Sequence, residues 1–351
     1  MGTDSSTGSF EGWPSVLGTL AEGGDLATER AEAALSEVLR GDATPAQIAG
    51  FIVALRQKGE TVEELTGLVR AMLDAAEPLD LPAGCIDIVG AGGSPARRRA
   101  ALNISTMACF VAASAGAVVC KHGNRKASST SGSFDLLEAM GVTIDIAPAD
   151  VERCVREVGI GFAFARTHHP AMRFAGPVRA ELGIPTVFNI LGPLSHPGRL
   201  TRQVIGVADP ATADLMVQVL AKNGSTDAIV VTGDRELDEF SLTGPSRMLH
   251  LAGGGVTEHQ VDPTDLGLAT ATEADLAGGD AATNAAIAAG IFAGTDTGPR
   301  RDIVALNAAA GLVVAGVAAD LAEGVERSLQ VLAEGAPAAK LAELIAATRG
   351  N

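Results

Sequence analysis

From Cys85 onward, short β-branched apolar runs alternate with helical stretches: CIDIV, AVVC, IGFAFA, QVIGVA and DAIVV, with Ala-rich or amphipathic segments between them. Alternation of this kind predicts an α/β fold with a mostly parallel central sheet. Ahead of it, residues 13 to about 77 read as consecutive short helices with clear start signals. Thr44-Pro45-Ala46-Gln47 offers an N-cap, a proline at the first helical position and a glutamine to close a capping box, and Thr61-Val62-Glu63-Glu64 repeats the Thr-x-x-Glu form. After Asp275 the chain returns to helices, broken by Gly and Pro at 294–299 and near 335–337. The expectation is a disordered leader over 1–12, a small helical domain over 13–80 and a larger α/β domain after it. In open α/β sheets the ligand sits at the carboxyl ends of the strands.

Composition narrows the partners. The chain has 351 residues, 47% hydrophobic, enough for a sizeable core, but only 3% aromatic and no Tyr. Its cores must therefore be aliphatic, and an aromatic platform for stacking bases is not expected, so nucleic acid is a poor partner. The net charge of −16 repels anionic surfaces overall, yet residues 91–180 carry 11 Lys/Arg against 6 Asp/Glu. A small anionic ligand has that stretch to visit. Interleaving with Glu152 and Glu157 explains Arg153 and Arg156 as a solvated helix face, but not Arg97 to Arg99. Cys85, Cys109, Cys120 and Cys154 lack CxxC spacing and read as buried free thiols, which suits a reducing cytoplasm. The apolar run Ala308–Ala319 is too short to span a bilayer, so no membrane association is expected, and Met1-Gly2 with Ser6 is too short a pattern to argue lipidation.

Several residue groups fall at predicted strand ends. Gly90-Ala91-Gly92-Gly93 follows CIDIV, where backbone N–H groups can cradle an anion at close range, although a plain structural turn has the same appearance. Asn103, Ser105 and Thr106 open an apolar helix, where they can cap it or help hold a phosphate. Lys121-His122-Gly123-Asn124-Arg125 follows AVVC and arrives at the same sheet edge, with Ser128, Ser129, Ser131 and Ser133 behind it. Asp238-Glu239 lies past DAIVV and the Gly233-Asp234 turn. Adjacent carboxylates there suit a hard cation such as Mg²⁺ completed by substrate phosphate oxygens, with a solvated acidic loop as the alternative.

These motifs resemble the anthranilate phosphoribosyltransferase family, whose members join a ribose phosphate to anthranilate in tryptophan biosynthesis. DIVGAGG, NIST, KHGNR with SSTSGS, HPAMR followed by PVRAELG and TVFNILGPL, LDEFS, GGDAATNA and LNAAAGL carry the resemblance over nearly the whole chain. It implies a small helical domain hinged to a larger α/β domain of the nucleoside phosphorylase/phosphoribosyltransferase type. The helical domain would regain a segment near 168–190, the larger domain would comprise 81–167 and 191–351, and the assembly would be a homodimer through the helical domain. It also implies phosphoribosyl pyrophosphate and Mg²⁺ as donor and cofactor. Gly90, Gly92, Gly93, Asn103, Ser105, Thr106, Lys121, Ser129 and Ser133 would then be donor contacts. Ser105, Asp238 and Glu239 would form the metal group. Gly90, Asn124 and Arg179 would form the acceptor site, with Arg179 facing a carboxylate and His122 as a proton acceptor.

The chain also departs from the family pattern. Ala91, Ser94 and Pro95 replace the Thr, Asp and last Gly of a GTGGDG loop, and Arg97 to Arg99 fill its continuation. Arg166 and His168 stand where a Pro and an aromatic are usual, Lys126 where a small residue is, and His196 where an Asn is. Anthranilate transfer, transfer to another acceptor such as an aminocyclitol or a different aromatic acid, and a non-catalytic anion binder are the readings to separate. A nucleoside phosphorylase is disfavoured because KHGNR differs from a KHSTG-like loop.

Overall fold

Four helices precede the first strand: α1 (Trp13–Ala21), α2 (Thr28–Arg40), α3 (Pro45–Lys58) and α4 (Val62–Asp74). They belong to a computed structural model that describes residues 10–92, 102–125 and 131–350. Both expected capping boxes form, at Thr44 with Gln47 and at Thr61 with Glu64. Glu64 does more than cap. It is fully buried, and its carboxylate accepts from Thr61 N and Lys58 Nζ, each at 2.9 Å, and from Leu26 N at 2.9 Å. Three donors compensate the cost of burying that charge and tie the ends of α3 and α4 to the approach to α2. Helices α2 and α4 meet through Gly67, where a Cβ would stand 2.0 Å from the Thr28 carbonyl oxygen.

The five expected runs form parallel strands: β1 (Asp87–Gly90), β2 (Val119–Gly123), β3 (Ile160–Phe164), β4 (Arg202–Gly206) and β5 (Asp227–Thr232). An Ile86–Val119 bridge joins the β2–β3 pair to the rest, giving the order β3-β2-β1-β4-β5-β6-β7. The last two strands, β6 (Ser246–Ala252) and β7 (Gly255–Val261), form an antiparallel hairpin that the run pattern misses. Six of the seven β7 positions are exposed, so it lacks a buried face to advertise. The Gly253-Gly254 pair, with φ of 58° and 80°, is the turn signal that could have located it.

Helices cover both faces. Strand residues Ile88, Val204, Ile229 and Val231 face one core with α5 (Ile104–Ser114), α13 (Pro299–Ala315) and α14 (Leu321–Ala333), while Ile205, Ala228 and Val230 face a second core. That second core also contains α4, α10 (Val187–Leu194) and α11 (Pro210–Lys222), so the helical unit shares its apolar interior with one side of the sheet. Helix α9 (Met172–Leu182), reached through α8 (Ala165–His168), packs back on α2 and α3. The remaining helices are α6 (Ser133–Ala139), α7 (Pro148–Val158), α12 (Ala281–Phe292) and α15 (Ala336–Thr348). All four cysteines are buried and free, as their spacing suggests. No helix of the described residues is long and apolar enough to cross a membrane.

Gly67→Ala should lower stability by about 3 kcal/mol, because the added methyl meets backbone rather than a side chain that can turn away. Thermal denaturation measures this, and an unchanged Tm would contradict the packing of α2 on α4.

Candidate active site

At the point where the strand order reverses, β1 and β4 lie side by side and end together: Gly90 and Gly206 are register partners. Open α/β sheets form their ligand crevice at such a switch point. Here the segment Leu237–Ser241 crosses directly over both glycines. A Cβ on Gly206 would lie 1.8 Å from the Asp238 carbonyl oxygen, and one on Gly90 would lie 2.8 Å from Asp238 Oδ2. Gly233 gives the same clearance to the Glu239 carbonyl, at 2.2 Å. Asp238 is fully buried and Glu239 nearly so, and each carboxylate is anchored on a main-chain N–H. Gly92 N donates to Asp238 Oδ2 at 3.0 Å, and Ser105 N donates to Glu239 Oε1 at 3.0 Å. The second contact places a carboxylate at the N-terminus of α5, where the helix dipole favours it. It also means that the Ser105 N–H is committed to Glu239. Gly92 has φ of 72°, a conformation that favours glycine.

Lys121 and His122 lie within β2 itself, and both are buried. The Lys121 ammonium turns beneath the end of β1 and donates to the Ile88 carbonyl. Asp87, fully buried on β1, accepts from His122 N at 3.3 Å through Oδ1, while its Oδ2 has no partner among the described residues. Burial pushes the Asp87 carboxyl up to about 7, against the opposing pull of the Lys121 charge. A buried cation and a buried acid thus sit together under the glycine loop.

His122 Nδ1 donates to the Gly192 carbonyl at 3.2 Å, which leaves Nε2 as the lone-pair nitrogen, without a partner among the described residues. Its ring centroid is 5.0 Å from that of His169 and 5.8 Å from that of His196. Burial holds His122 well below the ordinary histidine range and brings His169 to about 4 and His196 to about 3. His196 Nδ1 accepts from Gly198 N at 3.0 Å while Nε2 donates to the Cys120 carbonyl at 2.9 Å, the donor–acceptor pair an asparagine amide could supply. His168 is also buried and lowered by burial, and its Nδ1 donates to the Glu77 carbonyl at 3.1 Å. Its own carbonyl accepts from Glu77 N at 2.8 Å. Both departures are thereby accounted for by backbone contacts.

Asn103 stands at the N-cap position of α5 without making a cap bond. Its Nδ2 donates to the Ser131 carbonyl at 3.1 Å, and its Oδ1 accepts from Asn284 Nδ2 at 2.8 Å. Thr106 is buried one turn behind it. At the end of β2 the Asn124 carbonyl accepts from Ser133 Oγ at 3.1 Å, an approach that requires Gly123, whose Cβ would lie 2.4 Å from that oxygen. Arg125 is not part of a basic cradle: it forks onto Glu138 at 2.9 and 3.1 Å and reaches Asp135 at 3.3 Å. Arg179 is on α9, its guanidinium 5.0 Å from the Phe188 ring centroid and its buried Nε without a partner among the described residues. Gly93, Ser94 to Arg99, Lys126, Ser128 and Ser129 lie outside the described residues.

Among the described residues no three His, Cys, Asp or Glu side chains group as a metal cage. Two carboxylates at a glycine-lined crevice nonetheless fit Mg²⁺, which commonly takes one or two carboxylates and completes its shell with water and substrate phosphate oxygens. Residues that local pattern reading passed over are Asp87, Gly206, Asn284 and Asn307. Gly206 closes QVIG and was visible as a strand-end glycine, whereas the two asparagines sat inside GGDAATNA and LNAAAGL without an assigned role.

Residues 14–76 match the family described as "Glycosyl transferase family, helical bundle domain", and residues 83–338 match "Glycosyl transferase family, a/b domain". The chain is 48% identical over 356 residues to an anthranilate phosphoribosyltransferase of Rhodococcus jostii (strain RHA1), covering 100% of this chain and 97% of that protein. It is 50% identical to one of Nocardioides sp. (strain ATCC BAA-499 / JS614), covering 96% and 98%. Among solved structures, anthranilate phosphoribosyltransferase (TrpD) from Thermus thermophilus is 40% identical with a TM-score of 0.90, covering 95% of this chain and 99% of that one. The Saccharomyces cerevisiae enzyme in complex with PRPP and Mg is 25% identical with a TM-score of 0.86, covering 97% and 98%.

The buried imidazoles set a pH dependence. The unfolded chain takes up protons below the ordinary histidine value of 6.5, which folded His169 and His196 do not match until about 4 and about 3, so stability falls as pH drops through that window. The raised Asp87 carboxyl acts oppositely between 3.8 and about 7, as do the raised Glu32 and Glu60 carboxyls above 4.5, but four buried histidines are lowered against these three groups. The Tm should decline from about pH 6.5 to pH 4, and His196→Asn should flatten that slope in calorimetry. An identical slope in the variant would contradict the assignment of His196 as a neutral imidazole.

Proposed function

The chain belongs to the anthranilate phosphoribosyltransferases of the glycosyl transferase family, and on that premise we propose that it transfers the phosphoribosyl group of phosphoribosyl pyrophosphate to the amine of anthranilate with Mg²⁺, in tryptophan biosynthesis. The observation that carries the reading is the acidic pair Asp238-Glu239 seated over Gly90 and Gly206, with buried Lys121 beneath the same strand end. Asp238 and Glu239, with the Ser105 hydroxyl, would hold Mg²⁺. The bound ion would neutralise the charge that gathers on departing pyrophosphate.

The remaining steps belong to the chain's own residues. Gly90, Gly92, Asn103, Thr106 and Ser133 form the donor surface, the family resemblance assigns Gly93 and Ser129 the same role, and Lys121 leaves the Ile88 carbonyl for a phosphate oxygen. Bond cleavage at the ribose C1 builds positive charge on the sugar and negative charge on the leaving oxygen, so fixed donors that need not reorganise stabilise it. Arg179 binds the acceptor's carboxylate. Its stacking on Phe188 and its unpartnered Nε support a guanidinium held in place for a planar anion. Asn124 aligns the amine, which attacks C1 from the face opposite pyrophosphate, and positioning makes the step effectively unimolecular. His122 Nε2 accepts the proton released as the C–N bond forms. Although burial makes it a weak base, the proton on a newly alkylated aryl amine is acidic enough to leave.

A different acceptor is not favoured, because the relatives that match the whole chain are anthranilate phosphoribosyltransferases. A homodimer through the helical domain belongs to the same reading, and sedimentation at twice the 35.4 kDa chain mass tests it. The buried free thiols suit a reducing cytoplasm.

With phosphoribosyl pyrophosphate and Mg²⁺, the protein should consume the fluorescence of anthranilate. Asp238→Ala and Lys121→Ala should each lower kcat/KM by about 100-fold or more. Donor binding without consumption of anthranilate would point to another acceptor, and absence of donor binding would point to a non-catalytic anion binder.

A further inference from the structure

Two C-terminal helices each bury one asparagine. In α13 the buried positions run from Ile303 to Val314 and are aliphatic or glycine except for Asn307; in α12 they are Asn284, Ala288, Ile291 and Phe292. Asparagine is a poor residue for a helix interior, and burying its amide costs free energy unless every polar atom is matched. Both amides are matched, and both reach the active-site crevice.

Asn307 Oδ1 accepts from Phe240 N at 3.0 Å, and its Nδ2 donates to the Phe240 carbonyl at 3.1 Å and the Ile303 carbonyl at 2.9 Å. Phe240 directly follows Glu239, in a segment that belongs to no strand. The side-chain amide therefore does for Phe240 what a neighbouring strand would do, matching its N–H and carbonyl together. Asn284 acts on the other wall. Its Oδ1 accepts from Gly279 N at 2.8 Å, and its Nδ2 donates at 2.8 Å to Asn103 Oδ1, while Asn103 in turn holds the Ser131 carbonyl. One asparagine thus fixes the acidic segment, and the other fixes the start of α5 against Ser131.

We propose that Asn307 and Asn284 are positioning residues, Asn307 setting the Asp238-Glu239 pair for the metal and Asn284 setting Asn103 for the diphosphate of the donor. The proposal rests on the metal and donor roles given above. It accounts for GGDAATNA and LNAAAGL, two motifs that supply no residue to the reaction itself. A general packing role would weaken both functions together, whereas two separate clamps weaken them separately.

The test uses the full chain, Mn²⁺ as an electron paramagnetic resonance probe and inorganic pyrophosphate. In saturating pyrophosphate, Asn307→Ala should weaken Mn²⁺ binding about 10- to 100-fold, the range seen when groups that orient metal ligands are removed. Asn307→Ser, with one hydroxyl left, should fall between the two and provides a milder variant. Asn284→Ala should instead weaken pyrophosphate binding at saturating Mn²⁺ and raise the KM for the donor more than it lowers kcat. Leu332→Ala, a fully buried apolar site on α14, controls for loss of stability alone. Wild-type binding in the asparagine variants, or equal losses in Leu332→Ala, would overturn the proposal. A wild-type protein that binds pyrophosphate but no Mn²⁺ would overturn the metal assignment, and the role of Asn307 with it.

Discussion

The missing side chains of Gly90 and Gly206 are the constraint on which the site depends. These two register partners close β1 and β4 where the sheet reverses its order, and Asp238 occupies the space that their Cβ atoms would fill, with its carboxylate over Gly90 and its backbone over Gly206. An alanine at 206 would place carbon 1.8 Å from a carbonyl oxygen, a distance that no rotamer change can relieve because the obstacle is main chain. Close approach brings the two carboxylates within reach of Gly92 N and Ser105 N, so the residues just after β1 and the start of α5 are both held to the acidic segment.

The surroundings make that arrangement stiff. Arg235 and Glu236 enter the segment with φ of 55° and 60°, and such left-handed non-glycine residues persist only where packing over-determines them. Asn307 supplies that support from α13, which lies so close on the sheet that a Cβ at Gly311 would come within 2.5 Å of Ile88 Cδ1. Electrostatics follow the same logic. Lys121, Asp87 and the histidines near β2 are all excluded from water, which strengthens every interaction that a phosphate or carboxylate would make there and leaves each charge little freedom without a ligand.

Much of this was legible in the sequence where the signal is local. Capping boxes at Thr44 and Thr61, the five parallel strands and the glycine turn after CIDIV all depend on residues a few positions apart. The acidic pair could be placed at a strand end for the same reason. What could not be read depends on partners far along the chain. Arg125 looked like part of a cradle until Glu138 and Asp135 were brought beside it, and nothing near LNAAAGL announces that Asn307 grips Phe240, 67 positions away. His168 and His196 stood out as departures from the family pattern because only their identities were visible. Their backbone partners, Glu77, Cys120 and Gly198, show what the imidazoles do. The β6–β7 hairpin was missed because an exposed edge strand carries little of the apolar alternation by which strands are recognised.

The most direct test of the acidic pair as the metal site is a crystal structure of the protein with Mn²⁺ and inorganic pyrophosphate, with the metal located by its anomalous scattering. The predicted result is a peak bound by Asp238 and Glu239 above Gly90 and Gly206, with pyrophosphate between it and Lys121. A metal bound elsewhere, with the acidic pair still turned onto Gly92 N and Ser105 N, would contradict that role.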